Sequence, residues 1–440
     1  MAIGYREALA TSTKNPHAKW PERGEDNRLE PFANPSFKTR VQLQPGAKVM
    51  TMGSCFARNI EEYFAGEGFI VPVMGYSAPV EEYGEGGRIQ GILNKYTLAS
   101  IAHEIEWLAK VKNSGGKVTW ENIEPMMFDA GNGQVVDLQL SSNIAVSRER
   151  AVERRQQIYD IHVQIFDCDL AVLTPGLTET WLDTKTGLYI QRMPRPKQAA
   201  AEPDRFAFEV MDFFQCFDML EKLIKTLRDN GTNQIAMTVS PVPLQRTMTD
   251  KDVLIANTYS KATLRSAVGL VTDRYDFVSY VPSFEKVMLS KNNAVWQDDL
   301  RHVTDSFVGQ IASTFAASTG VSLKMQTDDV AAFNAAFEEG ELDQALSVLE
   351  RIGDKAIDVG IFRFHKNVAR LFTKSKKWEE ALPHVQHAQR LRPNAVAVYK
   401  LEYRIHKRLG NEGAMRSAAD RAVANCKDLS MEQFLAKSPD

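Results

Sequence analysis

The 440-residue chain is long enough for two or three domains, and its hydrophobic (44%) and charged (25%) fractions are typical of a soluble globular protein. A net charge of −3 provides no basic surface field, which argues against nucleic-acid binding. No run of 18 apolar residues occurs, so the sequence predicts no membrane span. The polar N-terminus has no signal-peptide core, and the four scattered cysteines show no metal-binding pattern. We therefore expect a cytoplasmic protein with free thiols and no bound metal.

Residues 1–44 are predicted to form an extended arm. Prolines at positions 16, 21, 31 and 35 recur too often for a helix. The arm also contains large aromatic side chains, which favour packing on the following domain over a free tail. These aromatic residues are Trp20, Phe32 and Phe37.

Residues 48–68 are the most informative stretch of the chain. Residues 48–52 alternate as in a strand, and the apolar spacing from Phe56 to Phe64 predicts a helix that begins at Ser54 or Cys55. A nucleophile in that first turn stands above the sheet, beside free backbone N–H groups and the positive end of the helix dipole. Acyl transfer needs this environment, although a buried cysteine next to a capping serine is the alternative interpretation. The opposite, polar face of this helix is expected to carry Arg58, Glu61, Glu62 and Glu67.

Four further short apolar runs predict strands, and the amphipathic segments between them predict helices. This alternation is typical of an α/β protein with a parallel sheet covered by helices on both faces. In open sheets of this kind, ligands bind beyond the carboxyl ends of the strands. The predicted strands are residues 69–73, 169–174, 234–239 and 277–281, and the clearest helices are 94–109, 148–166, 208–229 and 304–317.

Asp299 and His302 follow the last predicted strand and precede the closing helix. At this spacing, Asp299 can hold one imidazole nitrogen while the other nitrogen faces a nucleophile. A surface histidine at a helix N-terminus is the alternative. The remaining histidines before residue 320 lie in the arm or within predicted helices, where they are less well placed for base chemistry; these are His17, His103 and His162.

The ordered motifs together resemble the GSCFA-domain family, which is named after the motif at residues 53–57. The resemblance covers about residues 40–318. It implies the flavodoxin-like αβα sandwich of the SGNH, or GDSL-like, hydrolases. The motifs that carry it are Gly53-Ser54-Cys55-Phe56-Ala57, Asn94-Lys95-Tyr96-Thr97, Gly176-Leu177-Thr178-Glu179-Thr180-Trp181, Thr238-Val239-Ser240-Pro241-Val242-Pro243, Asn257-Thr258-Tyr259-Ser260-Lys261 and Asp298-Asp299-Leu300-Arg301-His302.

The resemblance also implies catalytic roles. The nucleophile position of the first SGNH block falls on Cys55, and shifting the alignment by one residue places it on Ser54. We favour Cys55, because a helix N-terminus and an imidazole both stabilise a thiolate. The Asp-x-x-His block is intact as Asp299 and His302.

Oxyanion stabilisation is where the chain departs from the SGNH pattern. Asn94 or Gly75 stands nearest to the glycine donor of the second block, and Thr178 replaces the asparagine donor of the third. A hydroxyl is a shorter donor than an amide, which weakens the expected oxyanion hole. The residues expected to stabilise an oxyanion or bind substrate are Gly53, Asn94, Gly176, Thr178 and Glu179.

Beyond about Thr327 the chain is predicted to be entirely helical. Leu342, Trp378 and Ala414 recur at intervals of 36 residues, which loosely resembles tetratricopeptide helix pairs, and a plain helical bundle is the alternative. The predicted domains are therefore the arm, an α/β catalytic domain at residues 45–325 and a tetratricopeptide-like domain at residues 328–440.

The predicted function is that of an esterase or O-acyltransferase working through a covalent acyl-enzyme on an acylated carbohydrate. No cofactor is expected, and acyl-CoA is a candidate co-substrate. The alternative is a non-catalytic scaffold that binds a protein partner through its C-terminal helices.

Overall fold

The computed structural model describes residues 2–22, 24, 27–83, 89–321, 327–359, 362–392, 395–426 and 430–436. The predicted boundary between the two larger domains, at residues 325–328, lies partly outside these residues. The strands are β1 (Val49–Gly53), β2 (Met127–Gly131), β3 (Gln134–Asp137), β4 (Val146–Ser147), β5 (Leu170–Thr174), β6 (Glu179–Asp183), β7 (Leu188–Ile190), β8 (Phe206–Val210), β9 (Ile235–Met237) and β10 (Val278–Tyr280).

The helices before residue 320 are α1 (Tyr5–Lys14), α2 (Cys55–Gly66), α3 (Leu98–Asn113), α4 (Trp120–Ile123), α5 (Arg148–His162), α6 (Pro196–Ala201), α7 (Phe213–Asp229), α8 (Val253–Arg274), α9 (Ser283–Leu289), α10 (Asn292–Val295) and α11 (Asp305–Ser318). The later helices are α12 (Thr327–Glu339), α13 (Leu342–Ile352), α14 (Phe362–Lys374), α15 (Trp378–Leu391), α16 (Val396–Arg408), α17 (Glu412–Asn425) and α18 (Met431–Ala436). Short 3₁₀ segments cover Pro72–Gly75, Val80–Glu82, Ile89–Leu93, Glu124–Met126, Val163–Phe166 and Gly353–Asp358.

A parallel sheet in the order β1-β5-β9-β10 forms the centre of the α/β region, which confirms the predicted fold class. Beside β1, Lys48 makes a single parallel bridge to Ile70. The strand predicted at residues 69–73 is reduced to this bridge, because Pro72 has no N–H for a ladder and begins a 3₁₀ turn. The carboxyl ends of β1 and β5 lie side by side, with Gly53 paired to Thr174.

Helices cover both faces of this sheet, because successive strand residues point to opposite sides. Met50, Met52 and Leu173 pack with residues of α3, α7 and α8 in one apolar core. Val49 and Val172 face the other core, which contains residues of α2 and α11 and continues into α12–α14. The α/β region is thus a layered αβα structure joined to an all-helical C-terminal region.

The polar face predicted for α2 is buried, so this part of the prediction was wrong. Arg58 and Glu61 form an ion pair inside the protein, with Nη2 and Oε1 3.0 Å apart, and the Thr51 hydroxyl donates to the same carboxylate. Glu62 is also buried and faces Arg392 of the C-terminal region at 3.6 Å. Helix α2 is therefore enclosed by the sheet, α11 and the C-terminal region.

Two small antiparallel sheets, β2-β3-β4 and β7-β6-β8, were missed by the sequence analysis. The second sheet also shortens a predicted helix. Residues 206–210 form β8, and the helix predicted from residue 208 begins at Phe213, where the Asp212 carboxylate caps its first turn.

The arm differs from the predicted extended chain, because Tyr5–Lys14 form α1 in a stretch free of proline. Helix α1 has no buried residue, and Trp20 is 73% exposed, so neither supports the predicted packing. Phe32 does pack on the α/β region, where its ring stacks on Phe307 with centroids 5.2 Å apart. Phe37 contacts the core on the α11 side.

The C-terminal helices associate mainly as sequence-adjacent pairs: α12 with α13, α14 with α15, and α16 with α17. The second helices of these pairs begin at Leu342, Trp378 and Glu412, close to the predicted repeat. Their assignment as tetratricopeptide-like repeats stays a prediction. Among the residues placed here, none of the helices combines the length and apolarity that crossing a bilayer requires.

Candidate functional site

The turn between β1 and α2 presents Cys55 at the carboxyl edge of the sheet. Glycine is required at position 53, because a Cβ there would lie 1.8 Å from Thr174 Oγ1 and 2.8 Å from the Thr174 carbonyl oxygen. Ser54 caps α2 by accepting a hydrogen bond from the Phe56 N–H at 3.3 Å. Cys55 is the first residue of the helix and is half-buried, which places it at the helix N-terminus.

Ser54 occupies a different environment from its neighbour. Its side chain is buried, and its Oγ lies 2.9 Å from Ser240 Oγ in addition to the bond from Phe56. The hydroxyl therefore serves the cap and the link to the end of β9.

Asp299 and His302 form a tight turn after β10. The Asp299 carboxylate accepts the backbone N–H groups of Arg301 and His302 at 3.0 and 2.9 Å and lies 2.5 Å from His302 Nδ1. The same imidazole hydrogen-bonds the Cys55 side chain, which leaves Nε2 as the nitrogen directed to the thiol. The structure thus brings together Cys55, His302 and Asp299.

The electrostatics of this series favour a charged imidazole. The hydrogen bond to Cys55, followed by the bond to Asp299, raises the pKa of His302 to about 9 against a partial desolvation that lowers it. The pKa of Asp299 is held far below its ordinary value, first by the backbone N–H of His302 and then by that of Arg301. At neutral pH the pair is therefore an imidazolium and a carboxylate.

Asn94 lies directly beside the nucleophile turn, because the N–H of the adjacent Lys95 donates to the Gly53 carbonyl at 2.7 Å. The Asn94 side chain is buried, and its Nδ2 donates to the Tyr96 hydroxyl at 3.3 Å. Its Oδ1 has no hydrogen-bond partner among the residues that the structure describes. The amide is thus only partly engaged by the protein.

Gly176 and Thr178 follow β5 in a tightly packed turn. A Cβ on Gly176 would lie 3.2 Å from the Tyr96 carbonyl oxygen and 3.3 Å from Ser240 Cβ, so the turn has little room for a side chain there. The Thr178 N–H donates to Ser260 Oγ at 2.8 Å. The Thr178 hydroxyl is buried and has no hydrogen-bond partner within the described ranges.

Glu179 holds a neighbouring loop. Its Oε1 accepts the Thr247 hydroxyl at 2.6 Å, and its Oε2 accepts the Met248 N–H at 3.1 Å. Both carboxylate oxygens therefore anchor the loop that follows β9.

Sequence reasoning missed Lys261, which it named only as the last residue of the motif at residues 257–261. This lysine is buried on α8, and its ammonium donates to carbonyl oxygens of the turns after β5 and β9. The available signal was the polar run Asn257–Lys261, which follows the predicted strand at residues 234–239.

Taken together, the fold and the site define an α/β protein with a Cys–His–Asp series at the carboxyl edge of a parallel sheet. The chain belongs to the GSCFA family, whose model matches residues 48–315. No curated protein matches the chain. Within the described ranges, no group of three or more His, Cys, Asp or Glu side chains is arranged to hold a metal ion.

Proposed function

We propose that this protein is a hydrolase or acyltransferase in which Cys55 attacks an ester or thioester carbonyl. The observation that carries the proposal is the hydrogen-bonded series from the Cys55 thiol through His302 to Asp299. A nucleophile, a base and a group that orients the base are the parts that covalent acyl transfer needs.

The hydrogen-bond partner of His302 supports Cys55 over Ser54 as the nucleophile. The bond to Cys55 is the largest of the effects that raise the pKa of His302 to about 9. An imidazolium in this position can pair with a cysteine thiolate, which is the reactive form of that residue. Ser54 is also buried and engaged by Phe56 and Ser240, whereas Cys55 is half-exposed.

The proposed reaction has two steps. In the first, the Cys55 thiolate bonds to the acyl carbon, His302 gives its proton to the departing alcohol or thiol, and a thioester remains on Cys55. In the second, neutral His302 takes a proton from water or from an acceptor hydroxyl, whose oxygen attacks the thioester and releases the Cys55 thiolate. Asp299 keeps the imidazole oriented in both steps.

The negative oxygen formed in each step needs hydrogen-bond donors. The Cys55 N–H belongs to the first turn of α2, where a helix leaves N–H groups without internal acceptors. The Asn94 amide is a second candidate, since it lies beside Gly53 and is only partly engaged.

The substrate class rests on the family resemblance. SGNH-like chemistry favours an acylated carbohydrate, or an acyl donor such as acyl-CoA with a sugar hydroxyl as acceptor.

The full-length protein should turn over p-nitrophenyl acetate, or transfer acetyl groups from acetyl-CoA to sugars. His302→Ala should abolish that activity, and His17→Ala, in the exposed part of the arm, should not. No turnover by the wild-type protein in either assay would contradict the proposal. Absent turnover together with tight capture of a protein partner by the C-terminal helices would favour the scaffold role.

A further inference from the structure

Lys261 is a buried lysine whose hydrogen bonds, within the described part of the chain, all go to carbonyl oxygens. Its side chain is 2% exposed, and its Nζ donates to the carbonyl oxygens of Gly176, Ser240 and Val242 at 2.8, 2.7 and 2.7 Å. Three acceptors use the three N–H bonds of a charged ammonium, whereas a neutral amine has only two. The three acceptors are therefore arranged for a charged ammonium, and all three are neutral carbonyl groups.

A second buried lysine shows how unusual this is. Lys95 is also fully buried, and its Nζ lies 2.7 Å from the Glu104 carboxylate, which balances its charge. No carboxylate lies within ion-pair distance of Lys261 among the residues that the structure describes. Leaving a buried charge uncompensated is costly, so an opposite charge close to Lys261 is expected.

The anion that can balance Lys261 is a thiolate on Cys55. Burial lowers the pKa of Lys261 to about 7, and the charge of Cys55 is the neighbour that opposes this shift. A short path joins the two residues. Lys261 bonds the Ser240 carbonyl, Ser240 Oγ lies 2.9 Å from Ser54 Oγ, and Ser54 caps the helix that begins with Cys55.

We propose that Lys261 is a positioning residue: its ammonium fixes the turns after β5 and β9 around the nucleophile and supplies a positive charge that stabilises the Cys55 thiolate. This role rests on the proposed function of Cys55. His302 acts on the thiol from the solvent side of the site, and Lys261 acts from the interior.

The rate at which iodoacetamide alkylates Cys55 in the native, full-length protein tests this role. Cys55 is half-exposed, whereas Cys168, Cys216 and Cys426 are buried and burial raises their pKa values to about 12, 12 and 11. Native alkylation, located by peptide mass, therefore reports on Cys55. The alkylation rate is recorded as a profile against pH. In Lys261→Met, the rate at pH 7 should fall about tenfold.

Lys251→Met is the matched control, because Lys251 is exposed and lies over the ring of Tyr259. Its profile should match that of the wild type. A folded Lys261→Met protein with the wild-type profile would overturn the inference while leaving Cys55 as a reactive thiol. Resistance of wild-type Cys55 to alkylation would instead contradict the proposed function.

The reciprocal measurement needs no substitution at Lys261 and covers the case in which Lys261→Met does not fold. The ¹³Cε resonance of Lys261 can be titrated in the wild type and in Cys55→Ser. Since the serine hydroxyl carries no charge, Lys261 should lose its proton about one pH unit lower in the variant. Equal titration midpoints in the two proteins would contradict the coupling.

Discussion

His302 in the α/β region and His384 in the helical region show how one side chain is tuned in opposite directions. His302 is 41% exposed and faces Cys55 and Asp299, which raise its pKa to about 9. His384 is buried, and its Nδ1 lies 2.9 Å from Nδ1 of His365. Burial, assisted by the neighbouring charge of His387, lowers the pKa of His384 to about 4. The site at the carboxyl ends of the strands therefore favours a charged imidazole at His302, whereas the surroundings of His384 favour a neutral one.

The largest effect should come from exchanging the two histidines for alanine. His302→Ala should lower turnover by about 10²–10⁴-fold with little change in urea unfolding, because the side chain is well exposed. His384→Ala should keep turnover and lower the free energy of unfolding by about 2 kcal/mol, because it removes a buried ring. Steady-state assays and urea titrations of both variants would decide the matter. A folded His384→Ala protein without activity would contradict the assignment of the two histidines to separate roles.

The second comparison is between Gly53, which lies close to Thr174, and Gly410, which has a positive φ. Gly53→Ala should destabilise the protein by about 3 kcal/mol, because the new Cβ overlaps Thr174. Gly410 in the helical region has φ of +70° and open space around its Cα, so Gly410→Ala should cost only about 1 kcal/mol. Urea titration measures both, with Gly91→Ala as a control in open space at negative φ. Equal losses at positions 53 and 410 would contradict the close packing at the site.

The pH dependence of stability should separate the two histidines by sign. The folded pKa of His384, about 4, lies below the unfolded value of about 6.5. The unfolded state therefore binds more protons as the pH falls from 6.5 to 4, and about 3 kcal/mol of stability should be lost in that window. The folded pKa of His302 is raised to about 9, so its contribution is complete below pH 6.5 and is lost as the pH rises through 9. Because His302 is well exposed, that contribution should be only a few tenths of a kcal/mol.

Urea unfolding of the wild type, His384→Gln and His302→Gln between pH 4 and 9.5 measures these slopes. His384→Gln should flatten the acid side, and His302→Gln should flatten the alkaline side slightly. His17→Gln should change neither side, because His17 is exposed in the arm. If the free energy of unfolding of His384→Gln fell with acid as steeply as in the wild type, protonation of His384 would not be the cause of that loss.

The smallest effect concerns two residues with left-handed backbone conformation. Leu300, between Asp299 and His302, has φ of +53° and is 70% exposed; Lys376 in the helical region is exposed with φ of +60°. Glycine has no side chain to cause a steric cost at either position, but it gains more freedom than other residues in the unfolded chain. The first effect should exceed the second, so each substitution should raise the free energy of unfolding by about 0.5 kcal/mol. Only Leu300→Gly should lower turnover, because it loosens the turn that orients His302. Lower turnover in Lys376→Gly would contradict that assignment.

Local sequence patterns were sufficient for the central sheet and the pairing of Asp299 with His302. Strands β1, β5, β9 and β10 are short apolar runs next to turn residues, and helices such as α11 have clear amphipathic spacing. The Asp-x-x-His spacing itself closes the turn through backbone N–H bonds to Asp299. These features depend on residues close together in the chain.

Features that depend on distant residues were not predictable. Glu62 lies beside Arg392, 330 positions further along the chain, and Lys261 bonds carbonyls more than 18 positions away. The small antiparallel sheets pair short strands whose side chains are only partly apolar, so the pattern of any single strand is weak. Burial and strand pairing at such positions are determined by contacts with residues that are distant in the sequence.

The central claim is that Cys55 becomes acylated during the reaction. Full-length protein incubated with p-nitrophenyl acetate, quenched in acid and digested should carry an acetyl group on Cys55 in the wild type and in Ser54→Ala, and none at that site in Cys55→Ala. An acetyl group on Ser54, or no acetylated peptide from the wild type, would contradict the account.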